Sequence, residues 1–161
     1  MTELRDLEAR IRALEDIEAI KRLKYKYFRC IDKGLWDEIG NCFAEDAVAD
    51  YVPGMPLQGR AVIAKFFKDN IAPAYTMCVH QGHNPEIELT SDSTATGIWE
   101  LDNFMVTAKT NTGLWIAAFY DDEYVKEKGE WKIKSTKVTF IFSSDIEKGW
   151  AKERFSPLMD M

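Results

Sequence analysis

The two histidines of the sequence, His80 and His83, are its clearest candidates for acid–base chemistry, and both lie within residues 79–84. The apolar residues on either side of this run favour a β-strand. Residues three apart in a strand point to opposite faces, whereas on a helix they would share one face. The HxxH spacing therefore does not predict a shared metal site, and we expect no metal.

His80 has space beside it in such a strand. Its face also carries Cys78 and Gly82, and a glycine two residues away leaves room next to the imidazole ring. A titratable ring beside open space is what a base in a binding pocket requires. A histidine held by hydrogen bonds in the core or at the surface would give the same local pattern, so both interpretations stay open at this point.

Tyr27 and Asp32 lie on the element that must supply a partner for this histidine. Apolar residues recur every three or four positions over residues 2–33, which predicts a long helix that stops at Gly34. Asp32 falls in the last turn, where the helix dipole disfavours a carboxylate, although a solvated position beside Lys33 would lower that cost. On a helical wheel Tyr27 and Asp32 are about 140° apart, so they bracket the apolar stripe.

These side chains together favour proton-transfer chemistry. A carboxylate next to an imidazole orients the ring and favours its protonated form, which suits a general base. A phenol on the opposite side could donate a hydrogen bond to a developing enolate oxygen. The sequence shows no supported Ser or Cys nucleophile, no phosphate-binding glycine loop and no dinucleotide fingerprint.

The composition limits the classes of partner. The chain has 161 residues, 46% of them hydrophobic, and a formal net charge of -6, which suits one domain with a sizeable core. The acidic balance argues against nucleic acid or an anionic membrane as the main partner. The three cysteines are an odd number without a CxxC pair, so we expect neither a disulfide framework nor a thiolate zinc site. No signal peptide or membrane-helix pattern is visible, which makes a cytoplasmic location the expectation.

Helical patterns come first along the chain, and strand patterns follow. Residues 35–43 and 60–70 are expected to form short helices, and residues 47–52 a strand. Five further strand segments are expected at residues 76–84, 86–90, 93–107, 114–125 and 130–142. This order predicts an α+β domain, a cone-shaped barrel in which one strongly curved mixed or antiparallel sheet wraps around the N-terminal helices and encloses an apolar pocket. We expect a single domain over residues 1–161, with a helical arm at 1–15, a core at 16–142 and a tail at 143–161.

At these residues the sequence resembles the SnoaL-like family of the nuclear-transport-factor-2-like (NTF2-like) superfamily. The resemblance extends over about residues 14–142 and is carried chiefly by residues 16–24, 26–32, 35–38, 80–87 and 94–99. Within the family the sequence is most similar to the bile-acid 7α-dehydratases, and more distantly to scytalone dehydratase and hexachlorocyclohexane dehydrochlorinase. The resemblance implies the same cone-shaped barrel, no cofactor, and a homo-oligomer, either a trimer or a dimer.

The resemblance also implies roles for particular residues. Asp32 and His80 match the family's carboxylate–histidine dyad, and Tyr27 matches the tyrosine that polarises the substrate carbonyl. Asn103 departs from the bile-acid enzymes, which carry an aspartate there, and is similar to a substrate-binding asparagine of scytalone dehydratase. Four large aromatic residues are candidate pocket walls, or else ordinary core residues: Tyr51, Trp99, Trp115 and Phe119.

On this basis we expect a cofactor-independent lyase that eliminates water, or less readily halide, β to a carbonyl of a small apolar substrate, polycyclic and steroid- or polyketide-like. Two alternatives stay open. One is a ketosteroid-isomerase-like proton shuttle, in which a pocket carboxylate such as Asp102 is the base. The other is a non-catalytic module that binds a small hydrophobic ligand, because a fold does not by itself decide function.

Overall fold

The computed structural model describes residues 2–52 and 54–157 of the chain. The helical elements are α1 (Thr2–Asp32), a 3₁₀ turn (Ile39–Cys42), α2 (Arg60–Phe66), a π-helical turn (Phe67–Ile71) and α3 (Ala72–Ala74). The strands are β1 (Phe43–Asp50), β2 (Leu57–Gln58), β3 (Tyr75–Leu89), β4 (Thr94–Thr107), β5 (Gly113–Glu127) and β6 (Glu130–Asp145). In β4 and β5 buried residues alternate with more exposed ones, as in a sheet with one covered face.

The six strands form one mixed sheet in the order β2–β1–β6–β5–β4–β3. Neighbouring strands are antiparallel except for β1 and β6, which run parallel. Helix α1 packs on the inner face of the sheet and buries Ile20, Tyr27 and Ile31 together with the inward-facing strand residues. The predicted α+β fold is confirmed, and the curved sheet keeps two edges, at β2 and β3, instead of closing completely.

The short helices are less regular than predicted. Within residues 35–43 the helical part is the 3₁₀ turn Ile39–Cys42, and Phe43 already begins β1. The segment predicted as a helix at residues 60–70 starts as α2 and widens into the π-helical turn Phe67–Ile71. Such turns are frequent at functional sites, and this one borders the cavity described below.

Strand β3 is continuous where two strands were predicted, at residues 76–84 and 86–90. The strand pairs with β4 on both sides of a bulge between His83 and Glu86. Asn84 lies in the bulge with a positive φ of 48°, a conformation that asparagine adopts more readily than most residues. The bulge shifts the register of β3 against β4 between His83 and Glu86, and the pairing continues beyond it, so the strand does not end there.

The first half of α1 leaves its apolar stripe exposed. Leu4, Leu7, Ile11 and Leu14 are each about half exposed or more, and their spacing is that of a helix–helix contact. An oligomer contact would explain this stripe, but the oligomeric state stays a prediction. In the described part of the chain, no helix is both long enough and apolar enough to cross a membrane.

A buried ion pair ties α1 to the sheet. Lys24 Nζ lies 2.6 Å from Asp122 Oδ2, and both side chains are fully buried. The hydroxyls of Tyr124 and Thr136 donate to the same carboxylate, each at 2.6 Å. Burial lowers the pKa of Lys24, and the Asp122 carboxylate opposes this change. The ammonium also lies 3.6 Å from the ring centroid of Tyr120, within the range of a cation–π contact.

Replacing Lys24 with methionine should lower the free energy of unfolding by about 3–5 kcal/mol, because the Asp122 carboxylate would stay buried without its counter-charge. The double variant Lys24→Met, Asp122→Asn should recover part of this loss. Urea unfolding measures both changes. Lys21→Met is the matched control, because the Lys21 ammonium pairs with Glu18 at the surface of the same helix. The urea midpoint of this variant should equal that of wild type. Equal stability of the Lys24 and Lys21 variants would contradict this account of the buried pair.

Candidate active site

An apolar cavity of about 260 Å³ lies between α1, the helical segment before β3 and the inner face of the sheet. His80, Asn103 and Ile116 reach it from the neighbouring strands β3, β4 and β5. Other walls are aromatic or aliphatic, among them Ile31, Phe67, Leu101, Met105 and Phe140. Phe155 of the C-terminal tail also lines the cavity, so the tail helps to close the pocket.

His80 lies in the cavity wall, and Asp32 lies behind it. His80 Nδ1 is 2.6 Å from Asp32 Oδ1, and the backbone N–H of His80 donates to both carboxylate oxygens at 3.1 Å. The imidazole side chain is only 6% exposed. These bonds compensate the carboxylate for its place at the C-terminal end of α1, where the helix dipole disfavours it. The structure thus brings together the two residues that the sequence singled out as a dyad.

Asn103 and Cys78 fix the position of the ring proton. Burial raises the pKa of Cys78 to about 12, and the Asp32 carboxylate adds to the rise, so the thiol keeps its hydrogen at neutral pH. Cys78 Sγ donates to Asn103 Oδ1 at 3.6 Å, which turns the amide so that its Nδ2 lies 3.0 Å from His80 Nε2. An N–H donor opposite Nε2 requires a lone pair on that atom, so the proton is on Nδ1, toward Asp32. The basic nitrogen of His80 is therefore on the side of Asn103 and the cavity.

Phe28 occupies the space that Gly82 provides beside His80. The Phe28 ring stacks on the imidazole, with centroids 5.5 Å apart and planes inclined by 16°. A Cβ atom on Gly82 would lie 2.1 Å from Phe28 Cε2. The sequence prediction that the glycine leaves open room is therefore wrong in this respect, because the room holds a ring that fixes the plane of the imidazole.

Replacing Gly82 with alanine should lower the free energy of unfolding by about 1–3 kcal/mol, because the added methyl group must displace Phe28. Turnover should fall as well, since the imidazole loses its stacked ring. Gly113→Ala is the control, because its nearest neighbour is the flexible end of Ile146, 3.3 Å away, and a change below about 0.5 kcal/mol is expected. Urea unfolding compares the two variants, and similar midpoints would show that Phe28 does not depend on the glycine.

Three phenols, those of Tyr27, Tyr51 and Tyr120, lie together in the cavity wall. Tyr27 Oη donates to Tyr51 Oη at 3.0 Å, and the Tyr27 ring packs edge-on against the Tyr120 ring, with centroids 6.2 Å apart. Burial raises the pKa of all three tyrosines, so each keeps its hydrogen at neutral pH. The Tyr27 hydrogen serves the contact with Tyr51, which leaves the hydroxyl hydrogens of Tyr51 and Tyr120 for a ligand oxygen. The cluster, referred to below as the tyrosine cluster, can therefore donate to a carbonyl or enolate oxygen.

Three of the predicted pocket walls lie elsewhere. Trp99 is buried in the core, where its indole N–H donates to the Tyr124 hydroxyl at 2.9 Å, and it does not line the cavity. Trp115 and Phe119 are on the outer face of β5, because alternate residues of a strand point to opposite sides. Tyr120, one residue after Phe119, is the β5 aromatic that reaches the cavity.

Asn103 and Tyr51 do line the cavity, whereas Asp102 does not. Asp102 is on the outer face of β4, where it accepts a hydrogen bond from Trp115 Nε1 at 2.9 Å and lies 3.3 Å from His83 Nε2. An isomerase that uses Asp102 as its base is therefore not supported, because this carboxylate cannot reach a ligand in the cavity.

Asp32, Cys78 and His80 each offer one potential metal ligand, and these atoms lie within 4.8 Å of one another. A thiol must lose its proton to bind a metal, and the raised pKa of Cys78 opposes this at neutral pH. His80 Nδ1 lies 2.6 Å from Asp32 Oδ1, so these two potential ligands already pair with each other. These donors do not fit a resident metal ion, because Asp32 and His80 pair with each other and the Cys78 thiol donates to Asn103.

A curved mixed sheet that packs on N-terminal helices and encloses an apolar cavity defines the NTF2-like class of α+β folds. Within this class the chain belongs to the SnoaL-like domain family, which matches residues 12–137. The family that the sequence resembles is thus confirmed. The finer likeness to bile-acid 7α-dehydratases stays a prediction.

Several solved structures share this fold. A candidate scytalone dehydratase from Novosphingobium aromaticivorans DSM 12444 is 23% identical, with a TM-score of 0.78 over 83% of this chain and 89% of that chain. The hexachlorocyclohexane dehydrochlorinase LinA-type3 from Novosphingobium barchaimii LL02 is 20% identical, with a TM-score of 0.79 over 84% and 93%. A candidate aromatic ring hydroxylase from N. aromaticivorans is 24% identical, with a TM-score of 0.74 over 82% and 94%. At these identities the likeness shows the fold alone.

Proposed function

We propose that this protein is a cofactor-independent dehydratase that eliminates water β to a carbonyl of an apolar ring substrate. The observation that carries this proposal is the orientation of His80, whose Nδ1 lies 2.6 Å from Asp32 Oδ1 and whose Nε2 faces Asn103 in the cavity wall. The dehydratase and dehydrochlorinase among the proteins of similar fold support a lyase of this kind.

In the proposed reaction His80 Nε2 removes the proton from the carbon α to the carbonyl, and the electron pair moves to the carbonyl oxygen as an enolate. Asp32 stabilises the imidazolium ion that forms, and a free hydroxyl hydrogen of the tyrosine cluster binds the enolate oxygen. The enolate then collapses, the bond from the β carbon to oxygen breaks, and the departing hydroxide takes the proton from His80 as water. When substrate binds, the Asn103 amide donates to a substrate oxygen instead of to Nε2, which frees the Nε2 lone pair for the α proton.

The size of the cavity favours a substrate of two or three fused rings. Its volume of about 260 Å³ is just below the usual range of about 300–1,000 Å³ for ligand pockets. A four-ring steroid would extend beyond this volume, toward the open side of the cavity where Phe155 is 56% exposed. We therefore favour a bicyclic, polyketide-like ketone over a steroid.

A mass-resolved turnover screen tests the proposal. Wild type, His80→Ala and buffer alone are incubated with 3-hydroxy-1-tetralone, a bicyclic β-hydroxy ketone, and with a 7-hydroxy-3-oxo-4-ene bile acid. The bile acid is a tetracyclic vinylogue, in which the conjugated double bond places the hydroxyl δ to the carbonyl and the acidic proton on the γ carbon. The expected result is loss of one water molecule with wild type, faster than in either control. A product of unchanged mass with a shifted double bond would instead show an isomerase. Ligand binding that survives the His80 substitution, without turnover, would show a binding module.

A further inference from the structure

A second buried polar group lines the cavity apart from the proposed catalytic residues. Ser143 on β6 is 1% exposed and borders the cavity, and its Oγ is a buried atom with no hydrogen-bond partner among residues 2–52 and 54–157. Buried hydroxyls are nearly always hydrogen-bonded, because an unpaired one loses its contacts with water and gains nothing in return. This hydroxyl therefore needs an explanation that the fold does not supply.

The backbone holds Ser143 in this position. Its N–H donates to the Arg154 carbonyl at 2.9 Å, and its carbonyl accepts from the Ser156 N–H at 2.6 Å, so both main-chain groups are paired with the tail. The residue also pairs with Ile116 of β5. The neighbouring Ser144 is equally buried, but its hydroxyl donates to the Asp145 carbonyl at 3.1 Å. Of these two adjacent serines, only the one that lines the cavity has an unpaired hydroxyl.

Ser143 is in register with the proposed catalytic residues. His80 pairs with Asn103, Asn103 with Ile116, and Ile116 with Ser143, so the four residues form one row across β3, β4, β5 and β6. Neighbouring strands are about 4.8 Å apart, which places Ser143 about 10 Å from Asn103 along the sheet. All four residues line the cavity, so the row offers hydrogen-bonding groups at both ends and an apolar side chain between them.

We propose that the Ser143 hydroxyl is a second binding subsite, which takes an oxygen on the ring remote from the reacting carbons. Because a serine hydroxyl both donates and accepts, the oxygen can belong to a hydroxyl or a carbonyl group. The substrate is then a fused-ring ketone with a further oxygen at its far end. The direction in which the substrate lies in the cavity rests on the proposed function, which places its reacting end at His80. The pairing of Ser143 with a ligand oxygen does not rest on the proposed function.

Calorimetric titration with two matched ketones tests this subsite. The probes are 1-tetralone and 6-hydroxy-1-tetralone, which differ only in the oxygen on the remote ring. Wild type should bind the hydroxylated probe about three- to tenfold more tightly, which is the effect of one neutral hydrogen bond. Ser143→Ala should remove this preference and leave the affinity for 1-tetralone unchanged. Ser144→Ala is the matched control and should keep the preference, because its hydroxyl is bonded within β6.

Thermal unfolding of the free variants separates a ligand-binding serine from a structural one. Ser143→Ala should melt at or above the wild-type temperature, because the hydroxyl forms no hydrogen bond with any described residue that the substitution could remove. A clear fall in melting temperature would show that the hydroxyl has a structural partner, and would overturn the proposal. So would an equal loss of affinity for both probes, an unchanged preference in Ser143→Ala, or no binding of the hydroxylated probe by wild type.

The subsite and the dehydratase proposal can fail independently. His80→Ala should lose turnover and still prefer the hydroxylated probe, because Ser143 is on a different strand. A wild type that shows the Ser143-dependent preference without any elimination would refute the dehydratase and keep the subsite. Elimination without a Ser143-dependent preference would refute the subsite and keep the dehydratase.

Discussion

Replacing His80 with alanine should lower kcat for the elimination about 10²–10⁴-fold, the usual contribution of a positioned general base. The His80 imidazole lines the cavity with the Asp32 carboxylate behind it, and an alanine side chain cannot accept the α proton in its place. Affinity for 1-tetralone should change little, because most of the cavity wall is apolar and stays in place. Initial rates with 3-hydroxy-1-tetralone and calorimetric binding of 1-tetralone measure the two quantities.

His83→Ala is the matched control for this experiment. The two histidines are three residues apart, yet His83 is on the outer face of the sheet, beside Glu100 and Asp102. Its loss should leave kcat within about twofold of wild type, as expected for a surface residue far from the chemistry. Similar activities of the two variants would remove His80 from the mechanism.

Replacing Asp32 with asparagine should lower kcat by about 10³-fold, because the loss of an orienting carboxylate in comparable His–carboxylate pairs costs up to about 10⁴. The carboxylate accepts from the imidazole and, with both oxygens, from the backbone N–H of His80. An amide offers one oxygen and one NH₂ group, so it cannot accept all of these bonds, and it can hold the ring in the wrong tautomer. The KM should change much less than kcat, since Asp32 lies behind the imidazole.

Asp37→Asn is the control for the Asp32 substitution. Its side chain is 93% exposed and forms only a surface pair with Lys68, so activity should not change. Steady-state kinetics of both variants compare kcat and KM separately. An Asp32 variant that raised KM with kcat intact would mean that the carboxylate holds substrate, which would contradict its role as a positioning residue.

The sequence predicted the fold class and the members of the dyad because these depend on local patterns. The helical period over residues 2–33 places Asp32 at the end of a long helix, and the strand pattern around His80 puts its side chain on one defined face. Their contact at 2.6 Å depends on how α1 packs on β3, and neither local pattern carries that information. The family resemblance supplied the pairing.

The pocket walls were harder to predict because they depend on the register of each strand. In β5 a shift of one residue exchanges the two faces, so Phe119 and Tyr120 compete for the same inward position. Asp122 and Tyr124 are buried and lie on the same face of β5 as Tyr120, so their positions indicate that Tyr120 points inward. From sequence alone an aspartate is expected to face solvent, because its buried partner Lys24 is not known. That partner is 98 residues away in the chain.

Cys78 was also missed as part of the site. Its place two residues before His80 put it on the same strand face, yet a lone buried cysteine is usually only a packing residue. Its role in turning the Asn103 amide follows from the thiol proton and from the pairing of β3 with β4. This role depends on contacts of Cys78 and His80 on β3 with Asn103 on β4. The spacing of residues within one strand does not show such contacts.

The central claim, that His80 removes the α proton during an elimination, is tested most directly with 3-hydroxy-1-tetralone deuterated at the α carbon. Single-turnover reactions of wild type should release one deuterated water per product molecule, more slowly than the undeuterated ketone releases ordinary water. His80→Ala should be no faster than buffer, and His83→Ala should match wild type. Equal rates for the two isotopic forms, a product of unchanged mass, or full activity without His80 would contradict the account.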